Sequence, residues 1–209
     1  MDQKIYQTIR NRILFMDYAP GEIINENSLA EEFGVSRTPI RQIFNRLEWE
    51  NLVRIIPRKG TMIAEVEFRK LTEVFRIRME IERLIGLLAA ERITKRHLES
   101  LDELVVRCQD MREHEDCQRL ISVELDCRNV LHDAANNKIL AKISNYLWSL
   151  TIRVWISILD RNNWAFEVDD MIKEITLTRQ ALTEKTPQEV GELRQQFLTK
   201  FLERIKDRF

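Results

Sequence analysis

Ile5, Ile9 and Ile13 recur at every fourth position of the opening segment, which stripes one face of a short first helix that stops at the turn Tyr18-Ala19-Pro20-Gly21. Ser28-Leu29-Ala30-Glu31 has the spacing of a capping box, which predicts a helix of under two turns, with Gly34 where a left-handed end is needed. Ser36 is placed to cap a third helix that tolerates Pro39 in its first turn and lines Ile40, Phe44 and Leu47 along one face. Two short helices joined by a tight glycine turn form a helix-turn-helix. The β-prone runs Val53-Arg54-Ile55-Ile56 and Thr61-Met62-Ile63-Ala64 flank Pro57-Arg58-Lys59-Gly60, which reads as a hairpin, or wing, with a basic tip.

The pattern changes near residues 65 to 70. Leu71, Phe75, Ile81, Ile85 and Leu88 keep helical spacing, and only Gly86, Pro187 and Gly191 stand as breakers in the rest of the chain. We therefore expect a mainly α protein with two domains. Residues 1–66 form a winged helix-turn-helix and residues 67–209 an antiparallel all-helical bundle. With 5 Gly and 4 Pro in 209 residues, an all-β fold is disfavoured.

Charge sharpens this picture. Lys and Arg total 33 against 34 Asp and Glu, a formal net charge of -1, so contact with a polyanion has to be local. Between positions 36 and 60 stand Arg37, Arg41, Arg46, Arg54, Arg58 and Lys59 against Glu48 and Glu50, a basic footprint confined to the third helix and wing. Arg37 and Arg41 are one turn apart with Thr38 beside them, at the helix end that enters a major groove in helix-turn-helix docking. Arginine there forks onto guanine or clamps phosphate. The plainer reading of such a pair is a solvated helix face.

Cys108, Cys117 and Cys127 make no Cys-x-x-Cys pair and fit a reducing cytoplasm. We expect a cytoplasmic chain without a targeting or membrane segment, since the most apolar stretch, residues 146–159, is short and interrupted by Arg153. Enzymatic turnover is not expected, because no phosphate-cradling glycine loop, nucleophile elbow or His-Glu-x-x-His occurs.

The first 65 residues resemble the GntR family of bacterial transcription regulators. The match runs through Pro20-Gly21, Ile24-x-Glu26, Leu29-Ala30-x-x-Phe33-Gly34-Val35-Ser36-Arg37-Thr38-Pro39-Ile40-Arg41, Leu47-Glu48, Leu52-Val53 and Pro57-Arg58-Lys59-Gly60. The resemblance implies operator recognition by Arg37, Thr38 and Arg41, a phosphate contact from Ser36, and a close backbone approach to the minor groove at Gly60. Arg46, Arg58 and Lys59 complete the expected DNA-binding set. Asn51 departs from the family's usual glycine, and asparagine is the next-best residue for the left-handed conformation required.

Leu71-Thr72-Glu73-Val74-Phe75-x-x-Arg78-x-x-Ile81-Glu82, followed by Leu87-x-Ala89-Ala90, resembles the opening of the FCD class, the FadR-type C-terminal domain of that family. Such domains dimerise and bind a small effector, often an organic acid, and many hold a divalent metal through an acid, a His four residues on, and two later His. Here Glu124 falls at the acid position, Arg128 at the first His position, and Ile175 and Phe197 near the later two, so no metal and no cofactor are expected. Asp110 and His114, a rival pair, lie in a charged stretch that reads as a solvated helix end, and His97 and His132 are unrelated in position. Arg128 held by Glu124, with Arg78 and Arg153 from neighbouring helices, could supply positive charge to a carboxylate effector; alternatively Glu124 and Arg128 are an ordinary i,i+4 pair. Trp148 and Trp155, seven apart, are read as sharing a helix face in the core or a dimer seam, rather than stacking on a ligand. The expected function is a homodimeric, effector-responsive regulator bound to double-stranded operator DNA, with repression as the family default. The alternative is a constitutive DNA-binding regulator whose effector pocket has degenerated.

Overall fold

The computed structural model describes residues 2–65, 68–159 and 161–207, with side chains described outside 68–70 and 161. The molecule divides into two compact units. One runs through Leu71 and takes in Ser149–Ile156; the other comprises Thr72–Trp148 and the chain from Ser157 onward.

In the first unit, α1 (Gln3–Leu14) is capped by the Asp2 carboxylate and buries Ile5, Tyr6, Ile9 and Ile13. β1 (Ile23–Ile24) leads into α2 (Glu26–Glu32), and α3 (Arg37–Trp49) buries Ile40, Ile43, Phe44 and Leu47. The α2 start differs from the capping-box reading. Asn25 is the N-cap and accepts from the Asn27 N–H, so Ser28 lies inside the helix. Asn caps as well as Ser does, and it stands one turn earlier. Gly34 closes α2 at φ 64, with the Val35 N–H reaching back to the Ala30 carbonyl at 2.9 Å. Asn51 closes α3 in the same way at φ 57, and the Leu52 N–H bonds the Leu47 carbonyl.

The wing strands β2 (Val53–Ile56) and β3 (Gly60–Ile63) pair antiparallel, Val53 opposite Ile63 and Ile56 opposite Gly60. β1 adds on the far side of β3, giving the order β1-β3-β2. A two-residue strand carries no alternation for a sequence pattern to display, and β1 was not anticipated. Gly60 has φ 117, and a Cβ there would stand 3.1 Å from both Ile23 Cγ2 and the Ile24 carbonyl oxygen, so this glycine is required by backbone twist and by β1 together.

The second unit is helical. It contains most of α4 (Phe68–Arg92), then α5 (Lys95–Gln109), α6 (Cys117–Ala135), α7 (Lys138–Ser149), α9 (Trp164–Glu184) and α10 (Pro187–Lys206), while α8 (Ile152–Ile158) falls largely in the first unit. α5 packs on α6 and α9, and α10 packs on α9. Gly86 and Gly191 are not breakers. They sit inside α4 and α10, where a Cβ on Gly86 would lie 3.0 Å from Gly191 Cα and one on Gly191 would lie 2.7 Å from the Arg83 carbonyl oxygen. Absent side chains let two backbones approach, a use of glycine that looks identical to a break in a single sequence. Trp148 and Trp155 do not share a helix, because α7 ends at Ser149 and α8 begins at Ile152.

Candidate nucleic-acid interface and buried charge cluster

The apolar face of α3 is sealed, so its opposite face is turned to solvent with Thr38, Gln42, Asn45 and Trp49. Arg37 and Arg41 flank that stripe with side chains 63% and 68% exposed. Each stands close to the Glu26 carboxylate of α2, at 3.9 and 3.7 Å, too far for hydrogen bonds but near enough to bias both guanidiniums to one side. Ser36 occupies the N-cap position, but its hydroxyl accepts from no first-turn N–H at φ -72, ψ 169. The expected cap bond is therefore absent, and the hydroxyl is exposed beside the first turn. Arg58 and Lys59 are exposed at the wing tip, where Arg58 adopts φ 65 ahead of Gly60. The wing is tied to α3 by the Ile55 N–H, which donates to Glu48 at 2.7 Å.

Arg46 goes elsewhere. Nine residues after Arg37, it lies about half a helical circumference away. Its guanidinium sits 3.7 Å from the centre of the Tyr6 ring and 3.2 Å from Glu50. Glu50 also accepts from the Tyr6 hydroxyl at 2.5 Å and from Arg10 at 3.0 Å, so this group of four fastens α1 to the end of α3. Burial and the Glu50 bond push the Tyr6 phenol up to about 12. Trp49, 86% exposed, is the most exposed large hydrophobic side chain among the described residues.

The second unit contains a different collection of charges. Arg78 and Glu82 of α4, Glu124 and Arg128 of α6, Glu174 of α9 and Arg194 of α10 converge in its interior. Arg128 donates to Glu82 Oε1 at 2.6 Å and to Ser144 of α7 at 2.5 Å. Arg194 donates to the other Glu82 oxygen at 3.2 Å, to Glu174 at 2.7 Å and to Thr178 at 3.2 Å. Glu82 thus bridges two guanidiniums, each residue under 10% exposed. Burial alone would raise the Glu82 carboxyl, but Arg128, Arg194 and Arg78 together hold it well below the usual carboxylate range. Burial pulls Arg78 down to about 10, with Arg128 adding repulsion.

Glu124 behaves oppositely. Its nearest oxygen is 4.0 Å from Arg128 Nε, Oε2 is sealed without a partner, and burial outweighs the attraction of Arg128 and Arg78, lifting it to about 7. The neighbouring imidazole of His132 is pushed down to about 4 by burial and by Arg128. Glu124 Oε2, Arg128 Nε, Arg194 Nε and His132 Nδ1 are all buried and have no hydrogen-bond partner among the described residues. Buried donors and acceptors without hydrogen-bond partners are costly, and these four atoms are the cost of the cluster's charge pairing.

This donor set does not fit a divalent metal. Both Glu82 oxygens are engaged by cations, and guanidinium has no lone pair to offer. No group of three or more His, Cys, Asp or Glu able to hold a metal occurs among the described residues. His97 instead takes part in the Thr94 capping box and contacts Asp133 at 3.1 Å, His114 is exposed, and Asp110 lies 3.7 Å from Arg119. Of the four residues expected at an effector site, the structure brings Arg78, Glu124 and Arg128 together. Arg153 lies in the first unit and donates to the Ala64 carbonyl at 2.5 Å.

Glu82, Ser144, Glu174 and Arg194 were missed by sequence reasoning. A signal existed for two of them. Glu82 stands among Phe75, Ile85 and Ala89 on the buried face of α4, and Arg194 interrupts Val190, Leu198 and Leu202 on α10. A charged residue inside an apolar helical stripe asks for a buried counter-charge.

Residues 1–63 match the family model described as bacterial regulatory proteins, gntR family, and residues 73–176 match the FCD domain model. The HTH-type transcriptional regulator McbR of Escherichia coli (strain K12) is 33% identical over 129 residues, 62% of this chain and 58% of that protein. The uncharacterized HTH-type transcriptional regulator YdhC of Bacillus subtilis (strain 168) is 32% identical over 100 residues, 48% of this chain and 45% of that protein. The chain thus spans about half the length of the curated relatives it matches. Among solved structures, E. coli McbR/YncC superposes with a TM-score of 0.86 at 24% identity, covering 98% of this chain and 96% of that one. A GntR regulator from Rhodococcus sp. RHA1 superposes at 0.80 with 17% identity, covering 99% and 97%, and these two likenesses concern the fold.

Proposed function

Since the chain belongs to the GntR family of bacterial regulatory proteins, in its FCD-bearing, FadR-type branch, we propose that it is a sequence-specific DNA-binding transcription regulator whose helical domain binds a small effector. The observation that carries the DNA half is the contrast on α3 between a sealed apolar face and an exposed one flanked by Arg37 and Arg41, with Arg58 and Lys59 on the wing beside it. Arg37, Thr38 and Arg41 contact base edges and phosphates, Ser36 takes a phosphate, and the wing tip at Gly60 approaches the minor groove. Arg37→Ala or Arg41→Ala weakens operator binding by about 1–3 kcal/mol without lowering the melting midpoint. Unchanged affinity in a gel-shift titration overturns this assignment.

A homodimer presents two such helices to a palindromic site. In its support, Val74, Ile77, Ile81, Leu84 and Leu88 form a seven-residue-repeat stripe on α4 in which Ile77 and Leu84 stay 54% and 38% exposed. Sedimentation of Ile77→Asp/Leu84→Asp should return a monomer.

The effector is a small organic carboxylate, admitted to the cluster of Arg78, Arg128 and Arg194. The Nε–H groups of Arg128 and Arg194, which donate no hydrogen bond among the described residues, support this, as does a Glu124 carboxyl that is easily neutralised. A second reading has its own observation. Glu82 already satisfies Arg128 and Arg194, as expected of a self-neutralised core in a constitutive binder. Melting the EDTA-treated protein with small carboxylates, sugar acids and divalent metals separates the two. A ligand at a hundred times its Kd adds about 2.7 kcal/mol, a shift of several degrees. A rise with an acid supports the sensor, no rise favours the constitutive reading, and a rise with metal alone overturns the carboxylate assignment. Repression, the family's default, is checked by whether the effector releases the operator.

A further inference from the structure

The recognition surface of α3 contains more than its arginines. Thr38, Gln42, Asn45 and Trp49 recur at intervals of four, three and four residues, so at about 100° per residue they form one straight stripe. The buried residues Ile40, Ile43, Phe44 and Leu47 lie on the other side of the helix, which puts Gln42 and Asn45 near the middle of the exposed face rather than on its flank. Arg37 and Arg41 lie to one edge of that stripe, on the side of Glu26.

The polar groups around these two amides are already engaged. Arg46 stacks on Tyr6, Glu48 holds the Ile55 N–H, and Glu50 accepts from Tyr6 and Arg10. Among the described residues the Gln42 and Asn45 amides have no hydrogen-bond partner, and both are exposed. A carboxamide offers a donor and an acceptor side by side. That pair matches adenine N7 and N6 in the major groove, and it matches no other single base edge as well.

We infer that Gln42 reads an adenine in each operator half-site, with Asn45, about 4.5 Å further along the helix, adding a second contact to the neighbouring base step. The inference rests on the reading of α3 as the DNA-facing helix. It divides the surface into two roles. The edge arginines supply guanine and phosphate contacts, which hold the helix in the groove, and the central amides select among sequences. Substitution of Gln42 then changes which DNA is preferred more than how tightly DNA in general is held, because no charge is lost and the salt dependence stays as it was.

The test selects binding duplexes from a randomised library with the full chain, then repeats the selection with Gln42→Ala, Gln42→Glu and Asn45→Ala. Both positions are exposed, so the melting midpoints of all three variants should match the parent. The parent should return a half-site with one fixed adenine, preferred roughly 5- to 150-fold over other bases. Gln42→Ala should abolish that preference and leave the remaining positions intact. Gln42→Glu should move it to cytosine, whose N4 amino group a carboxylate accepts from. Asn45→Ala should relax the adjacent position. If the parent selects a motif that the Gln42 variants return unchanged, or a half-site without adenine, the inference is overturned while α3 remains the reading helix. If the parent selects no motif, the DNA-facing role of α3 falls and the inference with it.

Discussion

Arginine is used in opposite ways in the two units. In the first, Arg37 and Arg41 are mostly in water, with a carboxylate near but not bonded, and their positive charge stays available to a partner. In the second, Arg128 and Arg194 are buried and share one carboxylate, Glu82. The difference shows how a chain with a net charge of -1 can still present a cationic surface. In the bundle two desolvated guanidiniums share the Glu82 carboxylate, while the surface arginines of α3 keep only loose company.

Removing the shared carboxylate is the sharpest way to break this contrast. Glu82→Ala leaves two buried guanidiniums short of a counter-charge and should cost about 3–5 kcal/mol, read as a large fall in urea midpoint. A loss below about 1 kcal/mol would show that these guanidiniums reach water, and the contrast would fail. Next in size, Gly191→Ala forces a methyl against the Arg83 carbonyl, at an expected cost of about 1–3 kcal/mol.

Arg46→Ala tests the exception within the first unit. Loss of the Tyr6 stacking and the Glu50 bond should cost about 1 kcal/mol of stability and leave the DNA preference unchanged, the reverse of Arg37→Ala. Operator affinity falling with stability intact would instead give Arg46 the DNA contact expected from its charge.

A further effect is a slope. The Glu124 carboxyl is raised from 4.5 to about 7 by burial, so its stabilising contribution is complete below pH 4.5 and is lost as pH rises through 7. Glu124→Gln should flatten the pH dependence of the melting midpoint across that window. An unchanged slope would mean the group is hydrated in the folded protein.

Much of the first unit was legible in the sequence because its signals are local. Gly34 and Asn51 announce left-handed helix ends, and the basic run before Gly60 announces a wing tip. The α2 cap was misplaced because Asn25 and Ser28 both have suitable side chains, and spacing alone cannot choose between them. The expectation for Arg46 rests on charge alone, and the structure adds its direction and its contacts with Tyr6 and Glu50. Counting basic residues treated it like Arg37, although half a helical circumference lies between them. In the second unit, Glu124 and Arg128 were visible as an i,i+4 pair, but the pairing that matters joins Arg128 to Glu82, 46 residues away. Long-range pairing leaves no periodic trace in one sequence. Gly86 and Gly191 are the same case, since close approach between helices needs glycine as much as a turn does.

The exposed indole of Trp49 has a practical consequence. It lies at the end of the α3 stripe, whereas Trp148 and Trp164 are buried and Trp155 is partly covered. Its fluorescence is therefore the component open to aqueous quenchers such as iodide, with emission shifted to the red of the buried pair. The chain contains its own optical reporter at the helix proposed to meet DNA. Protection of that red component from iodide measures operator occupancy without a label, while the blue component follows the helical unit in the same cuvette.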